Sequence, residues 1–250
     1  MSVIVITGAS RGIGASAAME CAKRGMGIIL TYNSHPEGAE AIARQIEALG
    51  GKAVALALDV SKVGSFEGFR LSVAASLAST WGVKHIDGLV NNAGYGLFNP
   101  IETVTEDAFD GLFNVHLKGP FFLTQTLLPL MADGAHIINM ASATTRVATA
   151  GVAPYAAFKG GLEVLTRYMA KEFGARGIRA NSISPGAIRT DMTNDAFEQS
   201  PEFVTMLAGQ TALGRIGEAG DVGRVIASLL SADNRWINAQ SIEVGGGYII

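Results

Sequence analysis

The sequence predicts an α/β fold, a doubly wound parallel seven-stranded sheet with helices on both faces, and three observations predict it. Short β-rich apolar runs alternate with helix-length stretches along the whole chain. The first six runs are nearly continuous apolar segments, as parallel strands covered on both faces must be. A glycine-rich turn, Gly8-Ala9-Ser10-Arg11-Gly12-Ile13-Gly14, joins the first run to the first helical stretch.

Taken in order, strands are expected at 3–7, 27–32, 53–59, 86–91, 136–141, 179–184 and 241–244. Helices are expected at 12–24, 37–49, 63–80, 105–130, 155–175 and 219–231. The helix from 155 has the clearest pattern: Pro154 suits a first turn, and Phe158, Leu162, Leu165, Met169 and Phe173 form an apolar stripe. Gly174 and Gly177 then end it. Seven scattered prolines, no linker and no repeat give one domain, 1–250.

Composition bounds the function. Gly is 31 of 250 residues and charged residues are 16%, against an ordinary proportion of about 25%. With 48% hydrophobic residues this excludes disorder and implies a deeply buried core. The net charge is −3, without a block of Lys or Arg, so nothing favours nucleic acid or an anionic membrane. Cys21 is the only cysteine, which excludes an internal disulfide and a Cys-based zinc site. The chain enters a strand at once without a charged leader, and no apolar run approaches about 18 residues, so a cytoplasmic protein without a membrane span is expected.

The glycine turn allows backbone N–H groups to approach a pyrophosphate at a helix N-terminus, where the dipole favours negative charge. Gly8, Ser10, Arg11, Gly12, Ile13 and Gly14 are the candidate contacts; as a lone string the same spacing also describes a tight strand–helix turn. A carboxylate at the end of strand two would hold a ribose 2′-hydroxyl and repel a 2′-phosphate. Tyr32, Asn33 and Ser34 stand there, none of them acidic, and Arg11 offers a cation to a phosphate. These residues predict NADP(H) in preference to NAD(H). Asp59 and Val60 close strand three, where a carboxylate can accept from an adenine amino group. Asn91-Asn92-Ala93-Gly94 closes strand four; Asn91, Ala93 and Gly94 are the contacts expected, the small residues admitting a flat cofactor.

Tyr155 and Lys159 are i, i+4 on the clearest helix, on a face offset from its apolar stripe. A phenol is a poor acid near neutrality, and a neighbouring ammonium is expected to lower its pKa. Alone, this spacing more often describes an exposed helical pair. Ser142 ends strand five, where its hydroxyl can meet a carbonyl oxygen and the alkoxide it becomes. Asn114 sits mid-helix, where an Asn is unfavourable and a local disturbance can anchor a water. His35, His85, His116 and His136 show no metal-ligand spacing and are expected to be structural or solvent-facing; no metal is expected.

Together these motifs resemble the short-chain dehydrogenase/reductase family of the compact, single-domain type, and the resemblance covers essentially the whole chain. It implies a Rossmann-type sheet in the order 3-2-1-4-5-6-7 and hydride transfer between a nicotinamide and an alcohol or ketone. It further implies a catalytic tetrad of Asn114, Ser142, Tyr155 and Lys159. Tyr155 would move the proton, Ser142 steady the oxygen, Lys159 hold the nicotinamide ribose and Asn114 position a relay water. Pro185, Gly186, Ile188 and Thr190 match positions that contact the nicotinamide end.

Substrate contacts are expected from the loops after strands four, five and six: Tyr95, Leu97 and Phe98, then Thr144, Arg146 and Val147, then a flap from Met192 to Leu207. Their mostly apolar side chains suit a hydrophobic ketone. Within the family the sequence looks most like 3-oxoacyl carrier-protein reductases and related carbonyl reductases. Arg176 matches one place where such reductases hold an acidic carrier protein, but Met131-Ala132-Asp133-Gly134 carries no cation at the other. A non-catalytic nucleotide-binding regulator on the same fold is the alternative class. By resemblance the assembly is a homotetramer, through paired long helices and the apolar C-terminal end.

Overall fold

The computed structural model describes the backbone of residues 1–250 and the side chains of all but 194–196. Seven strands form one parallel sheet: β1 (Val3–Ile6), β2 (Gly27–Tyr32), β3 (Ala53–Ala57), β4 (Ile86–Asn91), β5 (Met131–Met140), β6 (Arg179–Pro185) and β9 (Ser241–Val244). Their order is β3-β2-β1-β4-β5-β6-β9. This is the predicted order; the seventh strand of the sheet is ninth in the chain because β7 (Ile188–Arg189) and β8 (Gly217–Glu218) pair separately beyond β6.

Strand periodicity divides the core in two. Ile4, Ile6, Ile28, Leu30, Val90 and Ile138 point to one face, against α1 (Gly12–Lys23), α2 (Pro36–Ala48) and α9 (Ala219–Leu230). Val3, Val5, Ile29, Leu89 and Ile137 point to the other, against helices that include α3 (Phe66–Ser76). That layer also holds α4 (Glu106–Phe113), α5 (Gly119–Leu127) and α6 (Ala153–Phe173). Because both faces are covered, the runs lack polar alternation, which is why they were legible as parallel strands. The segment after β7 carries α7 (Asn194–Gln199) and α8 (Pro201–Gly209). It coincides with the expected flap, of which side chains 194–196 lie outside the described residues.

Three elements depart from expectation. The long helix expected over 105–130 is interrupted at Asn114–Lys118 by a π-turn, in which the Gly119 N–H donates to the Asn114 carbonyl five residues back. Pro120 has no N–H to continue the α-helical ladder, and a Cβ at Gly119 would lie 2.4 Å from the Val60 carbonyl oxygen. The helix expected over 63–80 likewise ends in a π-turn, Leu77–Trp81, closed by Gly82 in left-handed conformation. β5 begins at Met131 rather than 136, its pairing with β4 shifting register between Ile86 and Gly88. Among the described residues, no helix is long and apolar enough to cross a membrane.

Candidate active site

The carboxyl ends of the strands open into a cleft of about 650 Å³, where ligands of open α/β sheets bind. β1 delivers the glycine turn to it. Gly8 and Gly12 adopt φ of +61° and +59°, a region that disfavours residues with a side chain, and a Cβ on Gly8 would sit 2.8 Å from the Ala93 Cα. Gly8, Ser10, Arg11, Gly12 and Ile13 all line the cleft. Gly14 does not: its Cβ would meet the Gly8 carbonyl oxygen at 2.4 Å, so this glycine serves close packing behind the turn.

Asn92, left out of the expected contacts, holds the turn in place. Its amide nitrogen donates to the carbonyls of Thr7 at 2.9 Å and Gly8 at 3.0 Å, while the Thr7 hydroxyl accepts from the N–H groups of Asn92 and Ala93. Asn91 corrects the expectation. Alternation along β4 turns it inward, where its amide donates to Thr124 and Asn139, and it does not line the cleft. Ala93 and Gly94 do line it.

At the end of β2, Tyr32 packs against the α1 side of the core rather than the cleft, a second correction. Asn33, Ser34 and also His35 form the wall, with Ser34 Oγ and His35 Nδ1 2.9 Å apart. Arg11, exposed, has no ion-pair partner among the described residues. Asp59 and Val60 line the next stretch, with Asp59 Oδ1 accepting from the Ser61 N–H and hydroxyl. Pro185, Gly186, Ile188 and Thr190 complete the opposite rim. The donor-rich turn, the absence of a carboxylate after β2 and the small residues after β4 fit a dinucleotide.

At the centre, α6 brings Tyr155 and Lys159 to the cleft together with Ser142 from the end of β5. Lys159 is only 4% exposed; its ammonium donates to the Met140 carbonyl, and Nζ lies 5.5 Å from the Tyr155 ring centroid. Burial pushes the Lys159 amine down to about 7. The Tyr155 phenol moves opposite to the sequence expectation. Burial raises it above the ordinary phenol range, and the opposing pull comes from the Ser142 hydroxyl rather than from the ammonium. Ser142 Oγ accepts from the Thr144 N–H and hydroxyl, so its own hydrogen remains for the cleft.

A family model described as enoyl-(acyl carrier protein) reductase matches residues 8–249. The chain belongs to the short-chain dehydrogenase/reductase family. It is 38% identical over 245 residues to an uncharacterized oxidoreductase of Methylorubrum extorquens, covering 98% of this chain and 96% of the relative. To a hydroxynaphthalene reductase-like protein Arp2 of Metarhizium brunneum it is 36% identical, covering 99% and 94%. The solved structure of the angucycline C-6 ketoreductase LanV with bound NADP is similar at a TM-score of 0.94 and 33% identity, covering 99% of this chain and 95% of that one.

Within this short-chain dehydrogenase/reductase, three further expected residues stand off the cleft wall. Asn114 heads the π-turn, its carbonyl taken by Gly119. Thr144 lies behind Ser142, as its hydrogen bonds show. Arg146 is turned to the C-terminal end, pairing with Glu243 at 2.5 Å and donating to the carbonyls of Tyr248 and Ile249. Tyr95 and Met192 do line the cleft. Arg176 is engaged internally, by Asp133 and the carbonyls of Leu128 and Met131.

His116, expected to be structural or solvent-facing, is buried at the cleft, its ring edge-on to Tyr155 with centroids 5.0 Å apart. Its Nε2 lies 2.9 Å from the Tyr95 carbonyl oxygen, so Nε2 carries the hydrogen of the neutral ring. Burial, reinforced by Lys159, pushes its pKa down to about 3. The signal that could have found it was the break at Asn114, two residues before it.

Proposed function

We propose that this chain is an NADP(H)-dependent ketoreductase acting on a free, predominantly apolar carbonyl compound, with Tyr155 as proton donor. The observation that carries the reading is the convergence of Ser142, Tyr155 and Lys159 on the same wall of a cleft whose other end presents Arg11 and no acid after β2. The LanV structure was solved with NADP, and the Arp2 relative is a hydroxynaphthalene reductase-like protein; both support a ring-bearing ketone as the substrate class.

When bound, the reduced nicotinamide supplies the hydride. The chain's residues supply the rest. Ser142 donates its free hydrogen to the carbonyl oxygen, which orients the carbonyl and stabilises the charge that develops on it. Tyr155 delivers the proton to that oxygen. Lys159, fixed by the Met140 carbonyl, presents an ammonium beside the phenol as it becomes anionic, and so holds the phenolate state within reach. Asn114, at the π-turn, is assigned the relay water. Met192 and Tyr95 line the cleft on the substrate side.

Reduction of the 3-oxo group of an acyl chain held on a carrier protein has less support, because Arg176, its one matching cation, is paired with Asp133. A homotetramer is the proposed assembly. Phe109, Phe121, Val164 and Tyr168 are exposed on α4, α5 and α6, Leu213 after α8, Trp236 before β9 and Ile250 at the C-terminal end. The test is a panel of ketones with NADPH and NADH, followed at the nicotinamide absorbance band. Consumption of NADPH with an aryl or fused-ring ketone is expected; turnover with none of them, or a preference for NADH, overturns the proposal.

A further inference from the structure

We propose that Glu163 is a positioning residue that holds the turn carrying Ser142 against α6. The proposal rests on the assignment of Ser142 and Tyr155 as reacting groups. Tyr155, Lys159 and Glu163 recur at i, i+4 and i+8, so they stack along one face of α6. Each meets the chain that leaves β5. Lys159 holds the Met140 carbonyl, Tyr155 shares the cleft with Ser142, and Glu163 Oε1 accepts from the Thr145 hydroxyl at 2.9 Å.

The same Oε1 accepts a second hydroxyl, that of Ser184, also at 2.9 Å. Ser184 is buried near the end of β6, immediately before the cleft-lining Pro185 and Gly186. One carboxylate therefore joins the helix bearing Tyr155, the turn bearing Ser142 and the strand that leads to the cofactor rim. The Thr145 hydroxyl has a single hydrogen and also lies 2.9 Å from the Ser142 carbonyl oxygen. A carboxylate is the stronger acceptor, so Glu163 pulls the turn toward α6; without it, Thr145 turns back on its own turn.

The adjacent residue repeats the arrangement. Arg146 pairs with Glu243, which faces Ser184 in the ladder between β6 and β9. That pair is exposed and screened by solvent, which leaves the half-buried Glu163 as the stronger hold.

The experiment compares Glu163→Ala, Glu163→Gln, Thr145→Val and Glu163→Ala/Thr145→Val in the full chain, by amide hydrogen exchange and by steady-state ketone reduction with NADPH. In Glu163→Ala, exchange at residues 144–147 is expected to rise about tenfold or more while β4 is unchanged. The kcat should fall by about 10–100-fold with the NADPH dissociation constant altered less than about threefold, because a displaced reacting group costs rate rather than cofactor binding. Glu163→Gln keeps an acceptor oxygen and should restore most of the rate. Thr145→Val should reproduce the loss, and the double variant should be no worse than either single one.

Unchanged exchange at 144–147, or additive losses in the double variant, overturns the proposal. If Glu163→Ala fails to fold, Thr145→Val decides it by the same two readouts. Tyr155→Phe, run in parallel, separates the two readings: a wild-type rate there removes the assignment of reacting groups, whereas the exchange data judge Glu163 independently.

Discussion

Lowering the pH from 7 to 5 should destabilise this protein through two buried histidines. His136 sits in β5 with Nδ1 2.9 Å from the Leu229 carbonyl oxygen and Nε2 2.8 Å from the Asn181 amide, a pairing that requires the neutral ring. Burial, with help from Arg179, pushes its pKa down to about 3, as burial and Lys159 do for His116. In the unfolded chain both titrate near 6.5. Between those values the unfolded state binds protons that the folded state refuses, so stability is present above about pH 6.5 and lost as the pH falls toward 3. Each histidine contributes a slope of about 1.4 kcal/mol per pH unit, hence about 2 kcal/mol by pH 5 and about 4 kcal/mol for the pair. Asp221, held down to about 2 by Arg215, acts only as the pH falls through about 4, and Lys159, whose folded value is about 7, adds only about 0.4 kcal/mol of loss just below pH 7. The assay is urea unfolding at a series of pH values for the wild type, His136→Gln and His116→Gln. Each variant should have a lower starting stability and lose about half of the slope. A wild-type stability that is flat between pH 7 and 5, or a slope unchanged in both variants, would refute the reasoning.

Two further perturbations probe the cofactor end. Arg11→Ala should cut kcat/KM for NADPH by about 10–100-fold, the value of a hydrogen bond to a charged group, and leave NADH nearly unaffected; equal losses with both cofactors would count against a 2′-phosphate contact. Gly14→Ala places a methyl 2.4 Å from the Gly8 carbonyl oxygen, so it should lower stability by about 1–3 kcal/mol and weaken NADPH binding, as measured by thermal melting with and without the cofactor. An unshifted melting temperature would show that the turn yields at no cost.

The positions of the strands were legible because each is a covered parallel strand, apolar on both faces, bounded by residues that end it; their order followed from the family resemblance, not from the pattern. What periodicity could not show was where a helix changes pitch. Residues 105–130 read as one helix-length stretch, whereas the π-turn at Asn114 falls where Gly119 packs on Val60 and Pro120 lacks a donor. Cleft-lining residues were legible where the motif and the wall coincide, as at Ser142, Tyr155 and Lys159. They misled where neighbouring residues face opposite ways. Asn91 and Asn92 are adjacent, yet one ties the sheet to its interior and the other ties the glycine turn to β4. Arg146 looked like a substrate contact by its place in the loop after strand five, but its partner Glu243 is 97 residues away and carries no local signal. His116 was hidden for the same reason as the π-turn that aims it.

Burial raises the Tyr155 phenol above its ordinary range and the Ser142 hydroxyl opposes that rise, so the proposed proton transfer is the step on which the reading turns. The direct measurement is single-turnover reduction of a ketone substrate by Tyr155→Phe, with NADPH affinity read in parallel by fluorescence. Phe keeps the ring against His116 and removes only the hydroxyl. The account predicts a rate lower by about 10²–10⁴-fold with cofactor affinity retained. A rate close to that of the wild type at equal NADPH saturation would contradict it.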